Sequence, residues 1–201
     1  MRRGAAAWAR ASILVLAMAS ITSACGDEPA SAPSARGSSA SSGPAGDPEL
    51  QPIAGGVGWT AEEPFVWARP DNDMRAAQYT LRGAPGVVLT VSHFDPAQGG
   101  GGEVDANVAR WAGQFEPLEV RETERRRVHD LAVTVVDLRG TFVGREGMGP
   151  AGPPRPGWRV LGAIVEGPRG LVFFKMLGPS AGVDAGAAAF EALVATIHPE
   201  E

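Results

Sequence analysis

Cys25 is the only cysteine in the chain. The residues that precede it indicate its chemistry more clearly than the sequence does for any other residue. An arginine-rich start leads into Ala11–Ile21, an apolar run without a charge, and Thr22–Ala24 then supply small side chains just before the thiol. This order is typical of a secretory signal segment, and the run is shorter than the roughly 20 residues that a bilayer-spanning helix needs. A thiol is a good nucleophile for thioether formation, and small preceding side chains allow a processing enzyme to reach the backbone. We therefore predict a secretory signal segment over residues 1–24, followed directly by a nucleophilic thiol.

The end of this segment resembles the lipobox of bacterial lipoproteins, although Thr22 stands where Leu is usual. The resemblance implies that Cys25 becomes the first residue and carries acyl chains, palmitate among them, which anchor the protein to a membrane. Two or more acyl chains bind a membrane stably, whereas one does so only marginally. In such lipoproteins an Asp after the cysteine often retains the protein in the inner membrane, so Gly26 implies the outer membrane. The alternative is a plain cleaved signal followed by a free cysteine, which is unusual in an exported protein.

Charge and composition bound the rest of the mature chain. Removal of residues 1–24 takes away three arginines and no acid, so the net charge falls from −5 to −8. This acidic balance disfavours nucleic acid as a partner.

Residues 25–50 are rich in Ser, Ala, Pro and Gly and cannot bury enough apolar surface to fold, so we expect a flexible linker with a reach of about 25–30 Å. Residues 51–201 then form one globular domain of ordinary length.

A polar line on one predicted helix is the candidate contact site of this domain. In residues 103–115, Asn107, Arg110 and Gln114 fall on one line beside Trp111, at about 100° per residue. Their amide and guanidinium groups suit carboxylates and backbone amides, so the line could contact a ligand or a partner. The alternative is that these residues tie the helix to the loops around residues 70–75 and 145–157.

Other chemical candidates are weaker. The glycine loop at 99–102 lacks the Lys-Ser/Thr of a phosphate cradle, and acids already occupy the first turn of the following helix. The three histidines show no metal-ligand spacing, and no nucleophile motif is present. Lys175 and Asp137 each lie on an apolar strand face and could pair if their strands are neighbours, although such a lysine more often extends its ammonium into solvent. We therefore expect no cofactor, no metal and no enzymatic activity.

The elements that must position these residues follow from hydrophobic periodicity. Alternating or continuous apolar runs predict the strands, and the stripe of Val104, Val108, Trp111 and Phe115 predicts the first helix, which Pro117 would end. A second helix is predicted over residues 183–197, and a Gly/Pro-rich, mobile loop over 144–157. The predicted strands are 57–60, 65–68, 74–81, 87–94, 122–128, 131–138, 158–166 and 171–177. Of these, 74–81 with 87–94 and 158–166 with 171–177 form hairpins, and the charged strand 122–128 suits a sheet edge. Strands joined by hairpins with two helices predict an α+β fold, an antiparallel sheet flanked by two helices.

Three segments and the glycine loop resemble an uncharacterised group of bacterial exported lipoproteins over residues 57–198. The segments are Met74–Tyr79 (MRAAQY), Ala106–Phe115 (ANVARWAGQF) and Phe174–Pro179 (FKMLGP). The element order also looks like the PsbP-like sandwich. No activity comes with these resemblances. Our leading hypothesis is a non-enzymatic, lipid-anchored envelope domain, facing the periplasm, that binds or scaffolds an unknown envelope protein or ligand. The alternatives are a small-molecule or lipid-binding sandwich with a pocket near Trp111 and, third, a small hydrolase.

Overall fold

The structure is a computed structural model that describes residues 52–144 and 152–200. The predicted signal segment 1–24, Cys25 and the linker therefore lie outside the described residues. Within those ranges the strands are β1 (Ile53–Ala54), β2 (Val57–Gly58), β3 (Phe65–Ala68), β4 (Arg75–Leu81), β5 (Val88–His93), β6 (Phe115–Val128), β7 (Leu131–Phe142), β8 (Arg155–Gly167), β9 (Gly170–Pro179) and β10 (His198–Pro199). The helices are α1 (Val104–Ala112) and α2 (Ser180–Thr196), with a short 3-10 helix at Pro96–Gln98.

A seven-stranded sheet forms the centre of the domain, in the order β3-β4-β5-β9-β8-β7-β6, and every neighbouring pair is antiparallel. The predicted hairpins β4–β5 and β8–β9 are confirmed. His129 and Asp130 join β6 to β7 with φ angles of 42° and 68°. Positive φ at two successive residues is what a tight hairpin turn requires. The charged strand β6 lies at the sheet edge, as predicted.

Each helix covers one face of the sheet, which makes the predicted α+β arrangement of a sheet flanked by two helices. Alternate residues of a strand point to opposite faces, so each central strand contributes to two cores. On one face, Phe190 and Val194 of α2 pack in a cluster that includes Phe174 of β9. On the other face, Val108 and Trp111 of α1 pack with a second cluster. Among the described residues, no helix is both long and apolar enough to cross a membrane.

A small second sheet, in the order β1-β2-β10, was not predicted beyond its middle strand. β2 covers only Val57–Gly58 of the predicted strand 57–60, and its partners are two residues long. Strands of two residues are too short to show a periodic pattern. Their pairing depends on contacts between the two ends of the domain, which the local sequence does not show.

The end of the first helix was predicted wrongly. α1 ends at Ala112 instead of Phe115, and Gly113 follows as its C-cap. Phe115 and Pro117 both belong to β6. Phe115 is buried, as the apolar stripe required, but its burial comes from a ring contact with Phe142 of β7 at 5.4 Å between centroids. A buried residue fits either a helix or a strand when only its spacing is known.

The predicted loop 144–157 is also corrected at its end. Arg155–Gly157 are the first residues of β8, and residues 145–151 lie outside the described residues. The Arg155 guanidinium lies over the Trp158 ring at 4.0 Å from its centroid and over the Phe142 ring at 4.8 Å. Arg155 also pairs with Phe142 of β7, so the strand pairing continues through a Gly/Pro-rich sequence, which local composition did not indicate.

Candidate functional site

Asn107 connects α1 to the glycine loop in front of it. Its side chain is only 6% exposed, and its Nδ2 donates to the carbonyl oxygens of Gly101 at 2.6 Å and Glu103 at 2.9 Å. Its Oδ1 accepts a hydrogen bond from Arg110 Nη2 at 2.7 Å. Asn107 thus ties the carbonyl of the glycine loop to the first turn of α1, while the side chain of the cap residue, Glu103, makes no cap hydrogen bond.

Trp111 fills the space between α1 and the sheet. It is 3% exposed and meets the Phe173 ring edge-on at 6.2 Å between centroids. The indole lies so close to Gly162 of β8 that a Cβ built there would be 2.5 Å from Cζ3 of Trp111. Glycine at position 162 is therefore required by the close approach of the helix to the sheet.

Gln114 and Lys175 meet beside Trp111. The Gln114 Oε1 accepts a hydrogen bond from Lys175 Nζ, and the Gln114 carbonyl accepts from the backbone N–H of Val143 at 2.8 Å. Lys175 Nζ also lies 5.7 Å from the Trp111 ring centroid and 5.8 Å from that of Phe142. An ammonium near the faces of two aromatic rings gains from their quadrupoles.

The four predicted contact residues therefore divide between two places. Trp111 and Gln114 come together with Lys175 over the sheet, whereas Asn107 contacts the glycine loop and accepts a hydrogen bond from Arg110. Only Arg110 is exposed. A contact of these residues with a ligand or partner stays a prediction, and Arg110 is the one of the four with an accessible charged group.

The suggested pairing of Lys175 with Asp137 is wrong, because β8 lies between their strands. The two side chains also point to opposite faces of the sheet, Lys175 toward α1 and Asp137 toward α2. Asp137 instead accepts two hydrogen bonds from Arg159, at 2.8 Å from both Nε and Nη2. A two-pronged contact of this kind is among the strongest side-chain hydrogen-bond arrangements.

Arg159 is the centre of a charged cluster under the start of α2. It is 7% exposed, and its Nη1 donates to Asp184 Oδ1 at 2.5 Å. Arg139 lies 3.3 Å from the same carboxylate. Burial by itself would lower the pKa of Arg159, but the hydrogen bonds and charges of Asp137 and Asp184 more than offset it and raise the pKa above its ordinary value. The cluster holds α2 to the sheet by satisfied charges.

An open groove of about 490 Å³ begins beside this cluster and runs between α2 and the edge of the sheet. Its apolar walls include Val135 and Leu161 from the sheet and Ala187 from α2, and its polar walls include Glu122 and Glu124 from β6. Glu191 of α2, which also lines the groove, forms an ion pair with Arg126 of β6. Sequence reasoning missed this groove, although the run Gly186–Ala189 shows that α2 has small side chains there.

The three histidines lie at contacts with backbone carbonyls, and among the described residues no group of three or more His, Cys, Asp and Glu could hold a metal ion. His93 Nε2 is 2.8 Å from the Arg169 carbonyl, and His129 Nδ1 is 2.9 Å from that of Ile197. His198 Nδ1 lies 2.8 Å from the Thr196 carbonyl, and its Nε2 lies 2.8 Å from Glu200 Oε1. The hydrogen bond to Thr196, and then the one to Glu200, raise the pKa of His198.

Comparisons with known proteins find similarity in fold only. No family model and no curated protein matches the chain. A solution structure of cyanobacterial PsbP (CyanoP) from Synechocystis sp. PCC 6803 is similar with a TM-score of 0.48 and 11% sequence identity, over 72% of this chain and 87% of that one. A Pseudomonas aeruginosa protein of unknown function, PA94, described as a putative regulator, is similar with a TM-score of 0.39 and 12% identity, over 68% of this chain and 98% of that one. Both TM-scores lie below 0.5, and neither likeness assigns a family or a function to this chain.

Proposed function

We propose that the chain is a lipid-anchored lipoprotein of the cell envelope whose domain binds or scaffolds another envelope component without catalysis. The anchor is supported by the sequence around Cys25, and the linker that follows gives the domain reach from the membrane. Gly26 supports the outer membrane as its location. The domain faces the periplasm in this proposal.

The observation that carries the binding role is the open groove of about 490 Å³ next to a long edge strand. Two of the charges that line it, Asp137 and Arg159, are engaged with each other, so they serve the packing of α2. The groove walls that remain accessible are carboxylates and small apolar side chains. Such a surface suits recognition of a partner by shape and charge.

A second candidate function is the binding of a small molecule or lipid. The volume of the groove beside α2 suits such a ligand, because ligand pockets measure about 300–1,000 Å³. Trp111 fills the position near α1 where the sequence suggested such a pocket. A small-molecule role would therefore use the α2 side of the sheet.

The anchor is tested by feeding cells labelled palmitate and isolating the protein. The wild type is expected to carry the label, and Cys25→Ser is expected to lose it because a hydroxyl does not form the thioether. A Ser23→Ala variant, which keeps the small residue and the thiol, is the matched control and should be labelled like the wild type. Equal label on the wild type and on Cys25→Ser would contradict the lipoprotein proposal.

A further inference from the structure

The edge strand β6 is long and regular where the other edge of the same sheet is short. From Val120 to Val128 every residue of β6 pairs with β7 in unbroken register, whereas the opposite edge strand β3 has only four residues. Among the described strands β6 pairs with β7 alone. In an antiparallel edge strand, alternate residues direct their N–H and C=O groups away from the sheet, so this edge presents a row of backbone groups that another strand can bind.

The two faces of this edge differ in charge. The residues of β6 that alternate toward α2 include Glu122, Glu124 and Arg126, and the charge of Arg126 is paired with Glu191 of α2. Those that alternate toward α1 include Arg121, Arg125 and Arg127. On the α1 side, Arg125 pairs with an acid of α1 and Arg127 donates to the backbone. On the α2 side, neither glutamate has an ion-pair partner within the described residues, and both are exposed.

Glu122 also lies directly opposite Asp137 in the β6–β7 register. Like charges opposite each other on one face destabilise a sheet. Asp137 is held by Arg159, which also lines the groove, whereas Glu122 forms no ion pair within the described residues. A positive side chain on a strand outside β6 would stand opposite Glu122 and remove this repulsion, so the edge itself favours a basic neighbour.

A second copy of the chain does not fit this edge. A two-fold antiparallel pairing of β6 with itself must bring together residues of the same face. Every such register centred between residues 121 and 126 places at least one like-charged pair directly opposite, for example Glu122 on Glu124 or Arg121 on Arg125. The registers centred on 124 and 125 also place a glutamate opposite Arg126, but each keeps an arginine opposite an arginine, so a different polypeptide fits the edge better than a second copy.

We propose that β6 binds an extended segment of a partner polypeptide as an added strand, with Lys or Arg at alternate positions toward α2. The basic side chains stand opposite Glu122 and Glu124 on the face of the sheet that α2 covers. The intervening residues face the arginines on the other side and are acidic or neutral. This proposal rests on the proposed binding function and specifies the kind of partner that the domain recognises. Backbone hydrogen bonds supply affinity in strand addition, and alternate side chains supply specificity.

The probe is a fluorescein-labelled peptide, Thr-Lys-Glu-Lys-Val-Lys-Glu-Lys-Thr, titrated with the purified full chain while anisotropy is recorded at physiological salt. Its control, Thr-Lys-Lys-Glu-Val-Glu-Lys-Lys-Thr, has the same composition without the alternation. The alternating peptide is expected to bind and the control to bind much more weakly. Equal binding of the two peptides would overturn the proposal, since it would show charge attraction without strand pairing.

The protein variants locate the site. Glu122→Gln/Glu124→Gln removes both charges without changing shape and is expected to weaken binding about 5–10-fold, the size of two exposed ion pairs. Glu116→Gln/Glu119→Gln, on the same strand but outside the groove, makes the same charge change and should alter binding less than about twofold. Unchanged binding in the first variant, or an equal loss in both, would refute the site.

Backbone methylation tests the strand pairing directly. One peptide carries N-methyl groups on its lysine amides and another carries them on the intervening amides, so that in an added strand only one of the two sets faces β6. Binding should be lost in one peptide and kept in the other, whereas loss in both or in neither would rule out an added strand. Absence of binding with normal palmitate labelling overturns this site alone, and binding without labelling overturns the anchor alone.

Discussion

Trp111 shows how one side chain sets the distance between a helix and the sheet. The indole is buried against Phe173 and against the bare backbone at Gly162, so the helix lies closer than any side chain at position 162 would allow. The sequence predicted burial of Trp111 from its place in an apolar stripe. It could not predict the glycine on the facing strand, because that contact joins residues far apart in the chain.

Replacement of Trp111 by alanine should cost about 3–5 kcal/mol of unfolding free energy, because it removes a large buried ring and leaves a cavity. A domain of this size has only about 5–15 kcal/mol in total, so the midpoint of denaturation by urea should fall sharply. Arg110→Ala is the control from the same helix. Its guanidinium is exposed and makes one described hydrogen bond, to Asn107, so its loss should cost only about 1 kcal/mol. An unchanged midpoint for Trp111→Ala, or a drop of similar size for Arg110→Ala, would contradict the described packing of α1.

Charged residues inside apolar strands could be recognised in the sequence, but their partners could not. Asp137 and Arg159 are both visible as charges in otherwise apolar runs. They meet because the register places Asp137 opposite Leu161, two residues along β8 from Arg159. Only the register between the strands decides which charged residues meet. The sequence alone therefore left Lys175 as a candidate partner of Asp137.

The elements with strong local signals were predicted well. β3, the β8–β9 hairpin and the edge position of β6 follow from alternation, turn residues and charge. The errors lie where long-range contacts decide the outcome, as for Phe115, which is buried in a strand instead of the helix, and for Arg155, which starts β8 by stacking on aromatic rings. The groove had no local signal beyond the small residues of α2, because its walls come from four separate elements.

The small sheet joins the two ends of the described domain and should respond to pH. His198 of β10 lies opposite Gly58 of β2, and the N–H of Glu200 donates to the Gly56 carbonyl at 2.9 Å. The Thr196 carbonyl and the Glu200 carboxylate raise the pKa of His198 in the folded state. The protonated form is therefore the one that folding stabilises. Its contribution is complete below the unfolded pKa of about 6.5 and is lost as the pH rises through the folded pKa.

The wild type and His198→Gln should therefore differ more in urea midpoint near pH 5.5 than near pH 9. These two values lie on either side of the ordinary histidine pKa of about 6.5. Glu200→Gln keeps the imidazole and the Thr196 contact but removes the carboxylate, so it should retain part of this pH dependence. A difference between wild type and His198→Gln that stays constant over the whole range would show that the His198 contacts do not contribute.

At the scale of the whole molecule, the proposal separates attachment from recognition. The sequence around Cys25 would attach the chain to a membrane, and the linker would carry the domain away from it. The domain would then present the α2 groove and the β6 edge to a partner polypeptide. The two parts can be changed independently, because Cys25 and the β6 glutamates are distant in sequence and serve different chemistry.

The proposed lipid anchor is tested most directly by the distribution of the protein between membrane fractions. After cell breakage and density-gradient separation, the wild type should be found with the outer membrane. Cys25→Ser should lose the acyl anchor and leave that fraction, and Gly26→Asp should move the protein to the inner membrane. Recovery of the wild type outside every membrane fraction, or identical distribution of the wild type and Cys25→Ser, would contradict the account.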